Sequence, residues 1–441
     1  MLIALNRVLP EAEMSLPIHA EQRLVAVIET DREGARIQYD ETWRRDPQSF
    51  PISLTMPLAQ PGHGPEVSVP WLMNLLPEGE PLRAMTRALG VAREDVLGLI
   101  AETGRDLAGA LAIGTPRTAD KPDYRTVANP RDLERIIMEL PARPFLAGED
   151  GVSMSLAGAQ EKLPVAMVDG LVAIPINGAS SSHILKPDNP RLVGSVENEA
   201  LCMVLARRCR LDVASVMTGK AGDRSYLLVK RYDRVGEGLN IRRLHQEDFC
   251  QALGLPPVAK YEQNQSGIRG PSLSDMFDLV RTHMTAREIT RLLDAAIFNI
   301  AVGNVDSHAK NYSILLLTQR SELAPLYDLM SGLDWVGITE NHAQEIGGQR
   351  RGRQIYGRHW RRMAEDCGLS GPGVLRRLDL FISRLLVELP LAAQEVATMP
   401  AGAGPLLANF VRSIGERARL VQANAHRQSD DAGPEINTSS V

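Results

Sequence analysis

The chain lacks any apolar run approaching the ~20 residues that a membrane-spanning helix needs, so no such helix is expected. Its first residues, MLIALNRVLPEAE, lack a long apolar core behind basic residues and do not read as a secretory leader. Cysteine is scarce: four residues (Cys202, Cys209, Cys250, Cys367) without a C-x-x-C pair. Cys202 and Cys209 sit too far apart along one helix for a bridge. The four read as reduced, structural thiols of a cytoplasmic protein. Lysine is sparse beside alanine and arginine, which says little about function. Net charge is small, -5, and gives no global pull toward nucleic acid or membrane. There is no internal repeat and no G-x-G-x-x-G. What is present is ordinary for a soluble globular chain: 441 residues, 44% apolar and 23% charged, enough for two or three domains with a real core.

Residues 1–115 carry short alternating runs, such as Leu24 to Ile28 and Ala35 to Tyr39, broken by Gly, Asp and Pro. They predict a small antiparallel sheet. Helical stretches follow near Trp71–Leu89 and Arg93–Glu102, and Gly104 to Gly114 closes the unit. Residues 116–145 begin polar, with Pro, Asp and Lys, and read as a linker region. From 146 to 235 the pattern is strand-rich. Leu163–Val168 and Leu171–Ile176 flank Asp169-Gly170, a two-residue turn signal, and predict a β-hairpin. Ser182–Lys186 and Ser225–Lys230 read as further strands. Between them Ser195 is the expected cap of a helix to about Arg208, with Glu197 and Glu199 in its first turn. Residues 236–425 read as mainly helical, interrupted by strands at Ser313–Thr318 and Leu323–Tyr327. The tail 426–441 is polar and expected to be disordered.

The most informative stretch is GNVDSHAKN, from Gly303 to Asn311. Asp306 and Asn311 have the D-x-x-x-x-N spacing of a kinase catalytic loop, in which the Asp orients the attacking hydroxyl and the Asn holds a metal ion. Alone the pair is weak, since both residue types are common in loops. The chain then offers a second carboxylate, Asp328, leaving a second strand 22 residues on. Helix, Asp loop, strand, turn, strand and Asp together would let one hairpin present two acids to a metal-bound triphosphate. Mg²⁺ prefers carboxylate, phosphate and water oxygens. Asp306 is therefore read as the base, with Asn311 and Asp328 as metal ligands. His308 is read as a brace that fixes the loop rather than as a ligand.

Three further segments fit the parts that phosphoryl transfer needs. Ser155-Leu156-Ala157-Gly158-Ala159-Gln160-Glu161-Lys162 is a small-residue loop that would let backbone N–H groups approach phosphate oxygens. It also fits an ordinary loop before a strand. Lys186 ends an apolar strand and suits the α- and β-phosphates, or a solvated edge. If buried it needs a carboxylate partner: Glu199 first, Glu197 second. Val229, Lys230 and Arg231, at another strand exit, could offer backbone hydrogen bonds to adenine.

These residues resemble the HipA-type serine/threonine kinase toxins. SLAGAQEK (155–162) is similar to the family's phosphate loop and HILK (183–186) to its lysine strand. QEDFCQALGL (246–255), Asp306-x-His308-x-Lys310-Asn311 and Tyr327-Asp328 match further motifs. Phe50 to Leu54, Asn74 to Gly79 and Gly104 to Leu111 match the N-terminal unit. The likeness spans roughly residues 1–420. It implies an α+β, two-lobed protein-kinase-like fold related to phosphatidylinositol kinases, with a small N-terminal β-rich subdomain that contacts the antitoxin and a mainly helical C-lobe. It implies ATP and Mg²⁺ as cofactors. Ser155, Ala157, Gly158, Ala159, Gln160, Lys162, Lys186, His308 and Lys310 would line the nucleotide. Ser155 is implied as the site of an inactivating autophosphorylation, with Ser153 second. An aminoacyl-tRNA synthetase is the implied substrate, and a small helix-turn-helix antitoxin the implied partner. Operator DNA would be reached only through that complex, and no membrane is involved.

One segment stands apart. RRGRQIYGRHWRR (350–362) packs six arginines around Tyr356, His359 and Trp360. It is a solvated helix face or a phosphate contact with Trp360 or Tyr356 stacking on a base. Two other functions are compatible with parts of the pattern. A co-repressor with a vestigial kinase site would not need the intact set Lys186, Asp306, Asn311 and Asp328. A metal-dependent nuclease would use the acids but leave Lys186 and the 155–162 loop without a purpose.

Overall fold

The computed structural model describes residues 14–31, 34–114, 123–236, 241–318 and 320–427. The alternating runs near the N-terminus form an antiparallel sheet of β1 (Ser15–Ala20), β2 (Arg23–Asp31), β3 (Gly34–Tyr39), β4 (Gly62–His63) and β5 (Leu111–Ile113), in the order β4-β3-β2-β1-β5. Every second residue faces inward, so Ala26, Ile28, Ile37 and Tyr39 are buried. A short helix α1 (Glu41–Arg45) is capped by Asp40, whose carboxylate accepts from the Trp43 N–H. Three helices follow where two stretches were expected: α2 (Pro65–Met73), α3 (Gly79–Leu89) and α4 (Val96–Thr103). The break falls at Pro77-Glu78-Gly79, where Gly79 takes φ +61°, a conformation that only glycine adopts freely.

The second sheet has six antiparallel strands: β6 (Asp123–Thr126), β7 (Leu163–Val168), β8 (Leu171–Ile176), β9 (His183–Pro187), β10 (Val216–Ala221) and β11 (Arg224–Lys230). Their order is β10-β11-β9-β7-β8-β6. The expected hairpin is present. Asp169 and Gly170 have φ of 50° and 78°, the double positive φ of a type I′ turn. The expected linker needs correction. Residues 115–122 lie outside the described residues, but β6 pairs along β8 and α5 (Pro130–Glu139) packs on the sheet, burying Leu133, Ile136 and Ile137. Their spacing is that of an amphipathic helix, which the flanking polar residues obscured. Helix α6 (Ser195–Arg208) is buried from Ser195 to Ala206. Its N-cap is Gly194 in the left-handed conformation, not Ser195. The Ser195 hydroxyl instead accepts the Asn189 N–H at 2.9 Å.

A ribbon of β12 (Arg234–Val235) and β13 (Arg242–Arg243) leads into the helical lobe. There β14 (Gln246–Asp248), β15 (Ser313–Leu316) and β16 (Ser321–Leu323) form a small sheet. The last strand is shorter than expected. Leu326 leaves the hairpin to bridge Val213. Around this sheet lie α7 (Phe249–Ala252), α8 (Leu273–His283) and α9 (Ala286–Val302). A second ribbon, β17 (Asn341–Ile346) and β18 (Gln349–Arg351), precedes α10 (Gly357–Asp366), α11 (Gly371–Ala397) and α12 (Leu407–His426). The expected tail thus begins after a helix that reaches His426, and residues 428–441 lie outside the described residues.

Two cores result. One merges the N-terminal unit with the six-stranded sheet through residues such as Ile18, Leu99, Leu163, Ile174, Leu185 and Leu228. The other joins α6 to the C-lobe helices through Leu201, Phe249, Phe298, Phe381 and Phe410. Ile184, on β9, packs against both. All four cysteines are free and buried. Among the described residues no helix is long and apolar enough to cross a membrane.

Candidate active site

The catalytic loop is built by local devices. Gly303 ends α9 with φ +71°. A Cβ there would also run into Leu333. The Asn304 amide then donates to Asn299 Oδ1 at 3.0 Å while its own Oδ1 accepts the Asp306 N–H at 3.2 Å. Asn311 donates its amide to the Asp306 carbonyl at 2.8 Å, which closes the loop between them. The Asp306 carboxylate reaches solvent and accepts from the Tyr261 hydroxyl. Crowding by protein raises its pKa, partly offset by that hydrogen bond and reinforced by the nearby Asp328. His308 is buried, packs edge-on against Tyr261 with ring centroids 5.1 Å apart, and is held neutral chiefly by burial.

Lys186 lies at the end of β9 between two carboxylates. Its ammonium is 2.6 Å from Glu199 and 2.6 Å from Asp328. Burial opposes the charge, but Asp328 and Glu199 together hold its pKa above the usual range. The same ammonium, helped by Lys162, keeps Asp328 ionised well below the usual carboxylate range despite burial. Removing one partner of such a group leaves a buried charge uncompensated, at about 3–5 kcal/mol. Asp328 also has φ +58°, an unusual conformation for a non-glycine residue that aims its carboxylate back at Lys186. Of the two partners weighed for Lys186, Glu199 is the one in contact.

The 155–162 loop is irregular, as expected, and is held by the N-terminal unit. Ser155 is fully buried and donates its hydroxyl to the Leu75 carbonyl at 3.0 Å. The Glu78 N–H donates to the Gly158 carbonyl at 3.1 Å, and Asp106 pairs its backbone with Ser153 and Ser155. Gly158 has φ +106°. Lys162 folds back to the Ala157 carbonyl at 2.7 Å, and burial pulls its pKa down to about 8 despite the charge of Asp328. Among the described residues the N–H groups of Ala157, Ala159 and Gln160 donate to no protein acceptor. Ser153 is half-buried, and its hydroxyl accepts the Arg105 N–H at 3.3 Å.

Some residues expected at the nucleotide are engaged by the protein itself. The Lys310 ammonium is held by Asp248 at 2.7 Å and by Asn74 Oδ1 at 2.6 Å, which ties the catalytic loop to the N-terminal unit. The N–H groups of Lys230 and Arg231 already donate to the Ser215 and Ser182 carbonyls. That of Val229 belongs to a strand paired on both sides. The Arg231 guanidinium is buried on Asp233, Ser181 and Leu107. Glu197 is buried away from Lys186, close to Gly404. Trp360 is fully buried and cannot stack on a base. Two participants had no sequence signal. Tyr261 has none at all. Lys260 meets Glu78 at 2.8 Å, although Glu78 lies inside the Asn74 to Gly79 motif.

The arrangement fits a metal-bound nucleotide triphosphate. Asn311 Oδ1 and the ionised Asp328 could supply two hard oxygen donors to a Mg²⁺ ion, with phosphate and water oxygens completing its sphere. Among the described residues no three His, Cys, Asp or Glu side chains form a metal cluster by themselves. Among the described residues the buried Nδ1 of His308 lacks a partner, as do the loop N–H groups at 157, 159 and 160. A lysine clamped by a helix glutamate, an Asp–Asn loop, and an aspartate beyond the next hairpin define a two-lobed, α+β, protein-kinase-like phosphotransferase.

Comparison with known proteins narrows this. The HipA N-terminal domain matches residues 16–114 and the HipA-like C-terminal domain residues 154–388. The chain is 36% identical to the Sinorhizobium fredii protein Y4mE over 411 residues, 91% of this chain and 96% of that one. It is 30% identical to the serine/threonine-protein kinase toxin HipA of Shewanella oneidensis over 428 residues, again 91% and 96%. The structure matches the Shewanella HipA solved with HipB and its operator DNA, with a TM-score of 0.82 and 26% identity over 93% of this chain and 98% of that one. The chain belongs to the HipA family of serine/threonine protein kinases.

Proposed function

We propose that the protein is the growth-arresting toxin kinase of a toxin–antitoxin pair, and that it transfers the γ-phosphoryl group of ATP to a serine or threonine of a protein substrate. The observation that carries the reading is Lys186, held charged between Glu199 and Asp328 beside the Asp306 loop. Bound ATP would supply the transferable group, and Mg²⁺ on Asn311 and Asp328 would neutralise its charge. Lys186 and Lys162 hold the phosphates. The free N–H groups of the 155–162 loop donate to their oxygens. Asp306 takes the proton of the acceptor hydroxyl, which displaces the Tyr261 hydroxyl from the carboxylate.

An aminoacyl-tRNA synthetase is the substrate class the family likeness favours, and a small helix-turn-helix antitoxin the partner. The Shewanella relative was solved with HipB and operator DNA, which supports an operator reached through the complex. The inactivating modification is placed on Ser155, with Ser153 the alternative. Ser155 Oγ is closed off by the Leu75 carbonyl, so its phosphorylation requires the loop to leave the cleft. The added charge, about -1.5 to -2, would keep it out.

The test is phosphate transfer from labelled ATP by purified protein, with phosphoproteomics after induced expression. Asp306→Ala should lower transfer by ~10² or more and abolish growth arrest without altering the melting temperature. A wild-type protein that binds no ATP and labels neither itself nor another protein would refute the kinase reading. Full growth arrest by Asp306→Ala would separate toxicity from catalysis and favour a binding role with the antitoxin.

A further inference from the structure

A cavity of about 330 Å³ opens on the C-lobe behind the catalytic hairpin, away from Lys186 and the phosphate loop. Four arginines line it, Arg210, Arg287, Arg291 and Arg377, against two aspartates, Asp212 and Asp294. Both aspartates are already used: Arg291 meets Asp212 at 2.8 Å and Arg377 grips Asp294 with two nitrogens. Arg210 and Arg287 have no carboxylate among the described residues. The floor is apolar, with Leu211, Leu292 and Leu326. Convergent guanidiniums over an apolar floor suit a phosphate group carried on a small organic body.

The cavity wall is continuous with the elements that position the metal ligands. The Leu326 N–H donates to the Asp212 carbonyl and the Ala214 N–H to the Leu326 carbonyl, at 2.8 and 2.9 Å. Asp328 lies two residues beyond Leu326. On the other wall, Tyr312 and Ser313 directly follow Asn311. Ser313 Oγ is 2.7 Å from the Tyr327 hydroxyl, which donates to the Lys310 carbonyl at 2.7 Å. A ligand gripping the Arg210–Asp212 turn therefore bears on both strands of the hairpin that carries Asn311 and Asp328.

We propose that this cavity is a regulatory site for a small phosphorylated molecule of up to mononucleotide size, acting on the catalytic hairpin from behind. The experiment is calorimetric titration of the full chain, without Mg²⁺, using ribose 5-phosphate and inorganic pyrophosphate as probes. Three proteins are compared: wild type, Arg210→Gln/Arg287→Gln and Lys162→Met, the last altering the phosphate loop without unpairing Asp328. Both arginines are exposed, so the double variant should keep its fold, and melting curves of both variants without probe check this. The site predicts wild-type binding with at least one probe at a Kd of about 1 mM or tighter. It predicts a loss of about tenfold or more in the arginine double variant and none in Lys162→Met. Binding by ribose 5-phosphate alone would show that the organic body contributes; binding by pyrophosphate, alone or beside it, would show that phosphate suffices. Amide exchange at 309–316 and 323–329 should slow on probe binding. The proposal is overturned if neither probe binds, if the double variant binds as well as wild type, if Lys162→Met loses the binding, or if probe binding leaves that exchange unchanged. Because nothing in this test requires turnover, its failure and a failure of the kinase reading are distinguishable.

Discussion

At the scale of single residues, the site is a set of charges held where burial resists them. Lys186 keeps its proton because two carboxylates share it. Lys162 has no carboxylate in contact among the described residues and is pulled down to about 8. The sign of its pH effect follows. Between about 8 and the 10.5 of a free lysine, the unfolded chain holds a proton that the folded chain lacks. Stability contributed by Lys162 therefore rises with pH through that window. ATP binding should run the other way. Phosphate oxygens beside Lys162 would restore its proton, so binding at pH 9 takes up close to one proton while binding at pH 7 takes up almost none. Calorimetry of ATP binding in buffers of different ionisation enthalpy measures this directly. Lys162→Met should abolish the uptake at pH 9. Uptake that is the same in the variant would remove Lys162 from the phosphate site.

At the scale of elements, the phosphate loop is shaped by one glycine. Gly158 has φ +106°, and a Cβ there would stand 2.8 Å from the Lys162 ammonium. Gly158→Ala combines a backbone cost of about 1–3 kcal/mol with displacement of that lysine. The expected result is a rise of about tenfold or more in KM for ATP, with a small change in melting temperature, because Gly158 itself belongs to neither core. Steady-state kinetics beside a thermal melt separates this from general unfolding. Elements decided by neighbouring residues were legible in the sequence. The Asp169-Gly170 hairpin, the stop at Gly303 and the turn from Asp306 to Asn311 depend on residues within about one turn of themselves. Elements decided at a distance were not. Ser195 looks like a cap, but the chain enters α6 through Gly194 and Ser195 serves Asn189. Lys310 looks like a nucleotide contact because its motif surrounds the catalytic loop. Its partners, Asn74 and Asp248, lie 236 and 62 residues away. Likewise the arginines at 350–362 hid the fact that Trp360 is core.

At the scale of the whole molecule, the N-terminal unit supports the phosphate loop instead of standing apart from the kinase lobes. Sequence reading separated the two by a linker, yet they share one core and one buried charge cluster. Asp106 sits at the centre of that cluster. Its carboxylate is 2.9 Å from Arg234, 3.7 Å from Arg231 and 3.6 Å from Arg243, and it accepts the Ser181 N–H at 3.2 Å. Burial opposes its charge, but the three guanidiniums hold its pKa below the usual range. Its backbone pairs with Ser153 and Ser155 at the start of the phosphate loop. Asp106→Asn keeps the shape but leaves Arg231 and Arg234 with Asp233 as their one contacting carboxylate and Arg243 with none among the described residues, and turns an amide donor toward other donors. The expected cost is about 3–5 kcal/mol, read as a lower denaturation midpoint with an unchanged slope. The local consequence is more specific. Amide exchange at 153–160 should quicken and ATP affinity should fall, while exchange at 303–311 stays as in wild type, since that loop's anchors, Asn299, Asp248 and Asn74, are not among the partners of Asp106. If the midpoint drops but the phosphate loop keeps its protection, the N-terminal unit stabilises the fold without supporting the loop. If all three regions loosen together, the unit and both lobes unfold as one cooperative body, and the phosphate loop has no separate support to lose.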